Sequence, residues 1–262
     1  MTDSEQIAAI GEAFTRGLRQ ILGGKLHGAY IYGAAAFPDD LPTGDIDFHV
    51  ILTGPLTDDQ EARLGEMHEE IAREFPPLGV GMDGYYLLLT DARRAGPPQS
   101  QMWQRATDKS WALHREHIHA GRVLVLHGPD PKEIVPPATW PEIEQALDAE
   151  YQYVEDHLDE YPHYSILQLF RLIYSYETRD VVLSKAQAAD WACDAHPQWR
   201  RHVELAKKAY ARQGTEKDMQ FMRADTRNLL EFARGRIERA RDRWRQQDAE
   251  LVRWAGSFRH PW

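Results

Sequence analysis

Asp45 and Asp47 stand two residues apart in the segment Gly44-Asp45-Ile46-Asp47-Phe48, among the apolar Ile46, Phe48, Val50, Ile51 and Leu52. Side chains of a strand alternate between its faces, so the two carboxylates point the same way, about 7 Å apart along the backbone. Carboxylates on so apolar a strand cost burial energy unless water or a cation solvates them. Magnesium is the cation that suits them, because this hard ion takes carboxylate oxygens and keeps its other positions for water and phosphate. Two such ions about 4 Å apart can clamp the attacking and leaving oxygens of a phosphoryl displacement. The other reading is an edge strand with two solvated aspartates beside a turn, since the Asp-x-Asp triplet alone is weakly specific.

Two further positions could belong to the same chemistry. Gly33 closes the apolar run 29–32; it permits close backbone approach to a ligand, and a helix N-terminus nearby would offer free N–H groups to phosphate. Asp83 is the acid of a third apolar segment, Gly-Val-Gly-Met-Asp-Gly-Tyr-Tyr-Leu-Leu-Leu. It either joins Asp45 and Asp47 in a cluster that binds metal or accepts a proton from a substrate hydroxyl, or is a turn aspartate beside Gly84.

Elements must hold these residues in place. Apolar residues at helical spacing (Ile7, Ile10, Phe14, Leu18, Leu22) predict a helix over 5–22, and a second is expected over 58–74. Strands are expected near 28–33, 45–52 and 80–90, which makes the first part a mixed α/β domain. Gly128, Pro129, Pro131, Pro136, Pro137 and Pro141 crowd a short stretch that favours turns. A boundary is therefore placed at residue 137, separating domains 1–137 and 138–262. Beyond it, helices are expected near 141–160, 163–178, 184–194, 198–212 and 216–255, with no strand. The fold class is α+β: a mixed sheet flanked by helices, followed by an all-α bundle.

A chain of 262 residues with 42% hydrophobic content can build one large or two modest domains. Its formal charge of −10 opposes tight binding to nucleic acid and suits a cationic small molecule. Cys193 is the only cysteine, which excludes an intrachain disulfide and a cysteine-based zinc site. No run approaches the roughly 18 apolar residues of a membrane span, and the start Met-Thr-Asp-Ser-Glu-Gln is unlike a signal peptide. A cytoplasmic monomer without a membrane partner is expected.

Other stretches carry alternatives. His114 and His117 could share a helix face but lack the spacing of a zinc motif and a third ligand, so a polar helix face is the reading. Arg234, Arg236, Arg239, Arg241, Arg243 and Arg245 alternate with acids and read as a solvated helix. Arg171 lies on a helix with the apolar face Ile166, Leu167, Phe170, Ile173 and Tyr174. An arginine in such a place needs a paired anion, either an internal carboxylate or a phosphate that its fork can grip twice. Ser184 caps the next helix, and Lys185 in its first turn opposes the helix dipole unless an anion sits there. Together they favour a nucleotide.

The run from 29 to 52, with strand, Gly33-Ala34, a proline-containing loop and then Gly44-Asp45-Ile46-Asp47, resembles the nucleotidyltransferase fold of the DNA polymerase β superfamily. Ala34 stands where that superfamily usually has serine or glycine. The stretch Leu-Gln-Leu-Phe-Arg-Leu-Ile-Tyr-Ser-Tyr-Glu-Thr-Arg-Asp-Val-Val-Leu-Ser-Lys, followed by Leu-Ala-Lys-Lys-Ala-Tyr-Ala-Arg-Gln at 205–213, resembles the helical domain of AadA-type aminoglycoside (3″)(9) adenylyltransferases. The resemblance implies two magnesium ions held by Asp45 and Asp47, with Asp83 as catalytic base where the family has glutamate. It implies Gly33, Ala34, Arg171, Ser184, Lys185 and Tyr210 at the ATP site, and a helical domain that closes the nucleotide and substrate cleft. The spacing from Arg171 to Lys185 is one residue longer than in the best-known members.

The family's drug-binding residues have no residue-by-residue match. The segment 149–164 offers Glu155, Asp156 and Asp159 instead, with Trp111 as a further candidate for the cleft lining. Like charges four apart, Glu155 and Asp159, cost about 0.2–0.5 kcal/mol on a helix unless a cation intervenes; the alternative is an exposed acidic face. The implied function is transfer of AMP from Mg-ATP to a hydroxyl of streptomycin or spectinomycin. The alternatives are nucleotidyl transfer to another small alcohol such as a lincosamide, and a catalytically dead nucleotide-binding protein.

Overall fold

In a computed structural model, residues 2–36, 41–103, 107 and 110–257 are described, with side chains of the last helix to residue 253. The chain divides into two compact units, Met1–Glu150 and Tyr151–Trp262.

The first unit opens with α1 (Asp3–Leu22), started by a capping box in which Thr2 and Glu5 satisfy each other's backbone N–H groups. Its buried stripe is Ile7, Ile10, Phe14, Leu18 and Leu22. Strands β1 (Leu26–Tyr32) and β2 (Ile46–Leu52) follow, then α2 (Asp58–Glu74), capped in the same way by Thr57 and Gln60. Next come β3 (Met82–Leu88), the single turn α3 (Leu89–Ala92), α4 (Trp111–His119) and β4 (Leu124–His127). The sheet order is β3-β2-β1-β4, with β2·β3 parallel and the other two pairings antiparallel.

Alternation along β2 sorts the sheet's faces. Ile46, Phe48 and Val50 pack with Phe14, Leu18, Leu64 and Ile71 of α1 and α2. Ile51 turns the other way and joins Tyr30, Leu87, Trp111 and Ile118. Helix α5 (Trp140–Asp156) begins where the buried Arg115 of α4 reaches Glu142 at 2.6 Å and the Pro137 carbonyl at 3.3 Å. This tie carries the first unit past the proline-rich stretch.

His68 of α2 packs against Phe14 and Phe48, with Nε2 2.8 Å from the Tyr86 hydroxyl. Burial pushes its pKa down to about 4 from an ordinary 6.5. The unfolded chain therefore binds a proton that the folded one refuses between those values. His68's contribution is complete above about pH 6.5 and shrinks as pH falls toward 4, by up to about 3 kcal/mol. Denaturant melts at pH 7 and pH 4.5 should show a smaller acid loss for His68→Gln than for the parent; equal losses would mean that this ring does not govern the effect.

In the second unit α6 (Pro162–Thr178) is the central helix, buried along most of its length and packed by α7 (Lys185–Ala195), α8 (Arg200–Tyr210) and α9 (Glu216–Ser257). Proline at its first position needs no intrahelical donor, and the left-handed Arg179 ends it. Arg239, Arg243 and Arg245 of α9 are exposed, as on the expected solvated face, but several of its arginines also bind α6. Arg236 pairs with Glu177 at 2.6 Å, Arg241 donates to the Tyr176 hydroxyl at 2.9 Å, and Arg243 donates to the Glu177 carbonyl at 2.6 Å. They bind the carbonyl end of α6, where a helix dipole favours cations. Among the described residues, no helix is long and apolar enough to cross a membrane.

Candidate active site

β1 ends at Tyr32 where β2 and β3 begin, so three strand termini share one edge of the sheet. Register places Asp47 opposite Tyr32 on one side and opposite Asp83 on the other. Neighbouring strands lie about 4.8 Å apart, and partners in register share a face, so Asp47 and Asp83 are lateral neighbours. Asp45 precedes the strand, exposed, and the Ile46 N–H next to it donates to the Gly81 carbonyl at 3.0 Å. That bond ties the start of the acidic segment to the turn before β3. Two carboxylates in direct register repel each other, and a cation between them removes the cost.

Gly33 follows β1 with φ of 70°, in the left-handed region, and a Cβ there would overlap the Asp47 carboxylate. With Ala34 it opens the 3-10 turn Gly33–Ala36. Among the described residues no group of three or more His, Cys, Asp or Glu is arranged to hold a metal by itself. Asp47, with the exposed Asp45 just before the strand, nevertheless fits a magnesium site, since that ion is ordinarily held by one or two carboxylates with water and phosphate oxygens completing the shell.

Beneath the acids lies a layer that sequence reasoning missed. His49 is 1% exposed and stacks on Tyr32 at 4.2 Å; Tyr85, Trp111 and His114 also surround it. Burial, and secondarily His114, depress its pKa well below the ordinary value, so this ring is neutral. His114 lies 3.0 Å from the Ser110 hydroxyl. The period of two that puts Asp47 on one face of β2 puts His49 there too, and this was the available signal. His114 and the buried His117 thus face the interior, correcting the expected polar helix face. Trp111, at 1% exposure and with its indole N–H donating to the Arg94 carbonyl at 3.3 Å, is core beneath the sheet, where a cleft lining was expected.

The predicted cations of the second unit stand on α6 and α7. Ser184 caps α7, its hydroxyl accepting from the Gln187 N–H at 3.0 Å. Lys185 follows at the first helical position, with Nζ 5.2 Å from the ring centres of both Tyr164 and Tyr210 and 3.4 Å from the Tyr210 hydroxyl. Arg171, half-buried, is two turns along α6 from Tyr164.

Glu155, Asp156, Asp159, Glu160 and Glu231 line a pocket of about 520 Å³ with Arg227 and Leu230. Helix α5 stops at Asp156, so Asp159 lies in the turn beyond it and not on the expected longer helix. The repulsion inferred between Glu155 and Asp159 is met from within the chain: Arg234 reaches Glu155 at 2.9 Å and Arg227 reaches Asp159 at 3.3 Å. Asp156 accepts from Gln152 at 2.9 Å. Five carboxylates lining the pocket against one lining arginine leave it negative.

Residues 133–234 match the family model of the aminoglycoside adenylyltransferase C-terminal domain. In fold the chain is similar to a crystal structure of spectinomycin adenyltransferase AAD(9) from Enterococcus faecialis with ATP and spectinomycin, at a TM-score of 0.67 and 19% identity, covering 87% of this chain and 98% of that one. No curated protein matches by sequence.

Proposed function

Because residues 133–234 match the family model of the aminoglycoside adenylyltransferase C-terminal domain, we propose that the chain moves AMP from Mg-ATP to a hydroxyl of streptomycin or spectinomycin. The observation that carries this reading is the register of Asp47 against Asp83 beside Gly33, which sets two carboxylates and a close backbone approach at one sheet edge. Asp45 and Asp47 are the residues to hold magnesium, and bound there it would offset the negative charge of the phosphates and orient them. Asp83, exposed at the start of β3, accepts the proton of the attacking hydroxyl. The neutral His49 and Tyr32 beneath them give the acids a floor that adds no competing charge.

Arg171 and Lys185 supply fixed positive charge to the triphosphate, Arg171 through a fork that matches two oxygens and Lys185 as a point charge. Gly33, Ala34, Ser184 and Tyr210 complete the nucleotide contacts. The pocket of Glu155, Asp156 and Asp159 receives the cationic drug, whose ammonium or guanidinium groups compete with Arg227 and Arg234 for the same carboxylates.

Purified protein with Mg-ATP should release pyrophosphate only when streptomycin or spectinomycin is added, and mass spectrometry should find one AMP on the drug. Release with a lincosamide instead would move the acceptor class. Mg-ATP binding without release across an aminoglycoside and lincosamide panel would overturn the enzymatic reading in favour of a nucleotide-binding module.

A further inference from the structure

Lysine carries its charge on a flexible four-carbon stem, so a lysine that grips phosphate needs something to hold it. Lys185 also stands at the positive end of α7, where its own charge is disfavoured. Two aromatic faces answer both problems. Tyr210 of α8 and Tyr164 of α6 each bring a ring centre to 5.2 Å from Nζ, within the roughly 6 Å over which a ring attracts an ammonium. Tyr164 is itself braced edge-on by Tyr153 at 6.2 Å. Seven residues further along α6, on the same helical face, stands Arg171.

We propose that Tyr164 is a positioning residue for the nucleotide grip: its ring holds the Lys185 ammonium between α6 and α8, so that α6 both carries Arg171 and aims Lys185. The proposal deepens the function above and rests on it. Tyr164 acts through Lys185, and the attribute it needs is an aromatic face; its hydroxyl is dispensable.

Calorimetry of Mg-ATP binding to the full chain tests this without any acceptor. Tyr164→Phe should bind within about twofold of the parent, whereas Tyr164→Leu should weaken binding about tenfold, with Tyr164→Met as the ringless substitute if the leucine variant melts early. Lys185→Ala should weaken binding at least as much, and Tyr164→Leu combined with Lys185→Ala should be no weaker than Lys185→Ala alone, because a positioning residue loses its effect with the group it positions. A folded ringless variant of parental affinity, or losses that add in the double variant, would overturn the positioning role while Lys185→Ala still marks the nucleotide site. Parental affinity in Lys185→Ala would instead remove the lysine from the grip, and the proposal with it.

Discussion

Asp47→Asn is expected to lower turnover about a thousandfold or more while leaving the unfolding midpoint at or slightly above that of the parent. The exchange keeps the shape of the side chain and removes the charge facing Asp83 across the β2·β3 pairing. In the folded protein alone that relieves repulsion between like charges in register. In the reaction it removes an anionic oxygen from the magnesium site, and interactions aimed at developing charge in a preorganised site carry factors of about 10² to 10³ each. Pyrophosphate release and thermal melts measured on the same preparation separate the two effects. Turnover within tenfold of the parent would sink the metal assignment, and a large fall in melting temperature would mean that the carboxylate is structural.

Gly33→Ala should cut turnover about a hundredfold and also cost stability. Its φ of 70° places an L-residue in the left-handed region, at about 1–2 kcal/mol, and the new methyl would overlap the Asp47 carboxylate. Either the turn or the carboxylate must move, and a displacement of about 1 Å at a reacting centre is enough for such a loss. Gly121→Ala is the control, because φ there is 78° but the nearest atom to an added Cβ is the flexible end of Lys132 at 3.9 Å. It carries the backbone strain without touching the acids. If both variants lose similar stability and only Gly33→Ala loses turnover, the glycine serves the carboxylate; equal turnover in the two would reduce Gly33 to a turn residue.

Much of the architecture follows from local pattern. The stripe Ile7, Ile10, Phe14, Leu18, Leu22 marks α1, and Ser184 marks the start of α7, because helical spacing and caps depend on residues within a turn or two of each other. The strand expected over 45–52 is found from Ile46, which leaves Asp45 just before it. β4 did not announce itself: Leu124–His127 is four residues beside a Gly/Pro-rich stretch, and pairing with β1 makes it a strand. Which acid stands beside Asp47 was likewise a tertiary matter, since the parallel register of β2 and β3 selects Asp83 from a segment 36 residues away. Packing buried Trp111 beneath the sheet, and it gave Glu155 and Asp159 the arginines of α9 as partners. By itself the sequence determined most of the helices, the central strands and the presence of Asp47 and Asp83 at their starts, because periodicity and composition act within a segment. Only the tertiary structure decided which charges and rings meet across those elements, because such contacts follow from register and packing between segments that no local period connects.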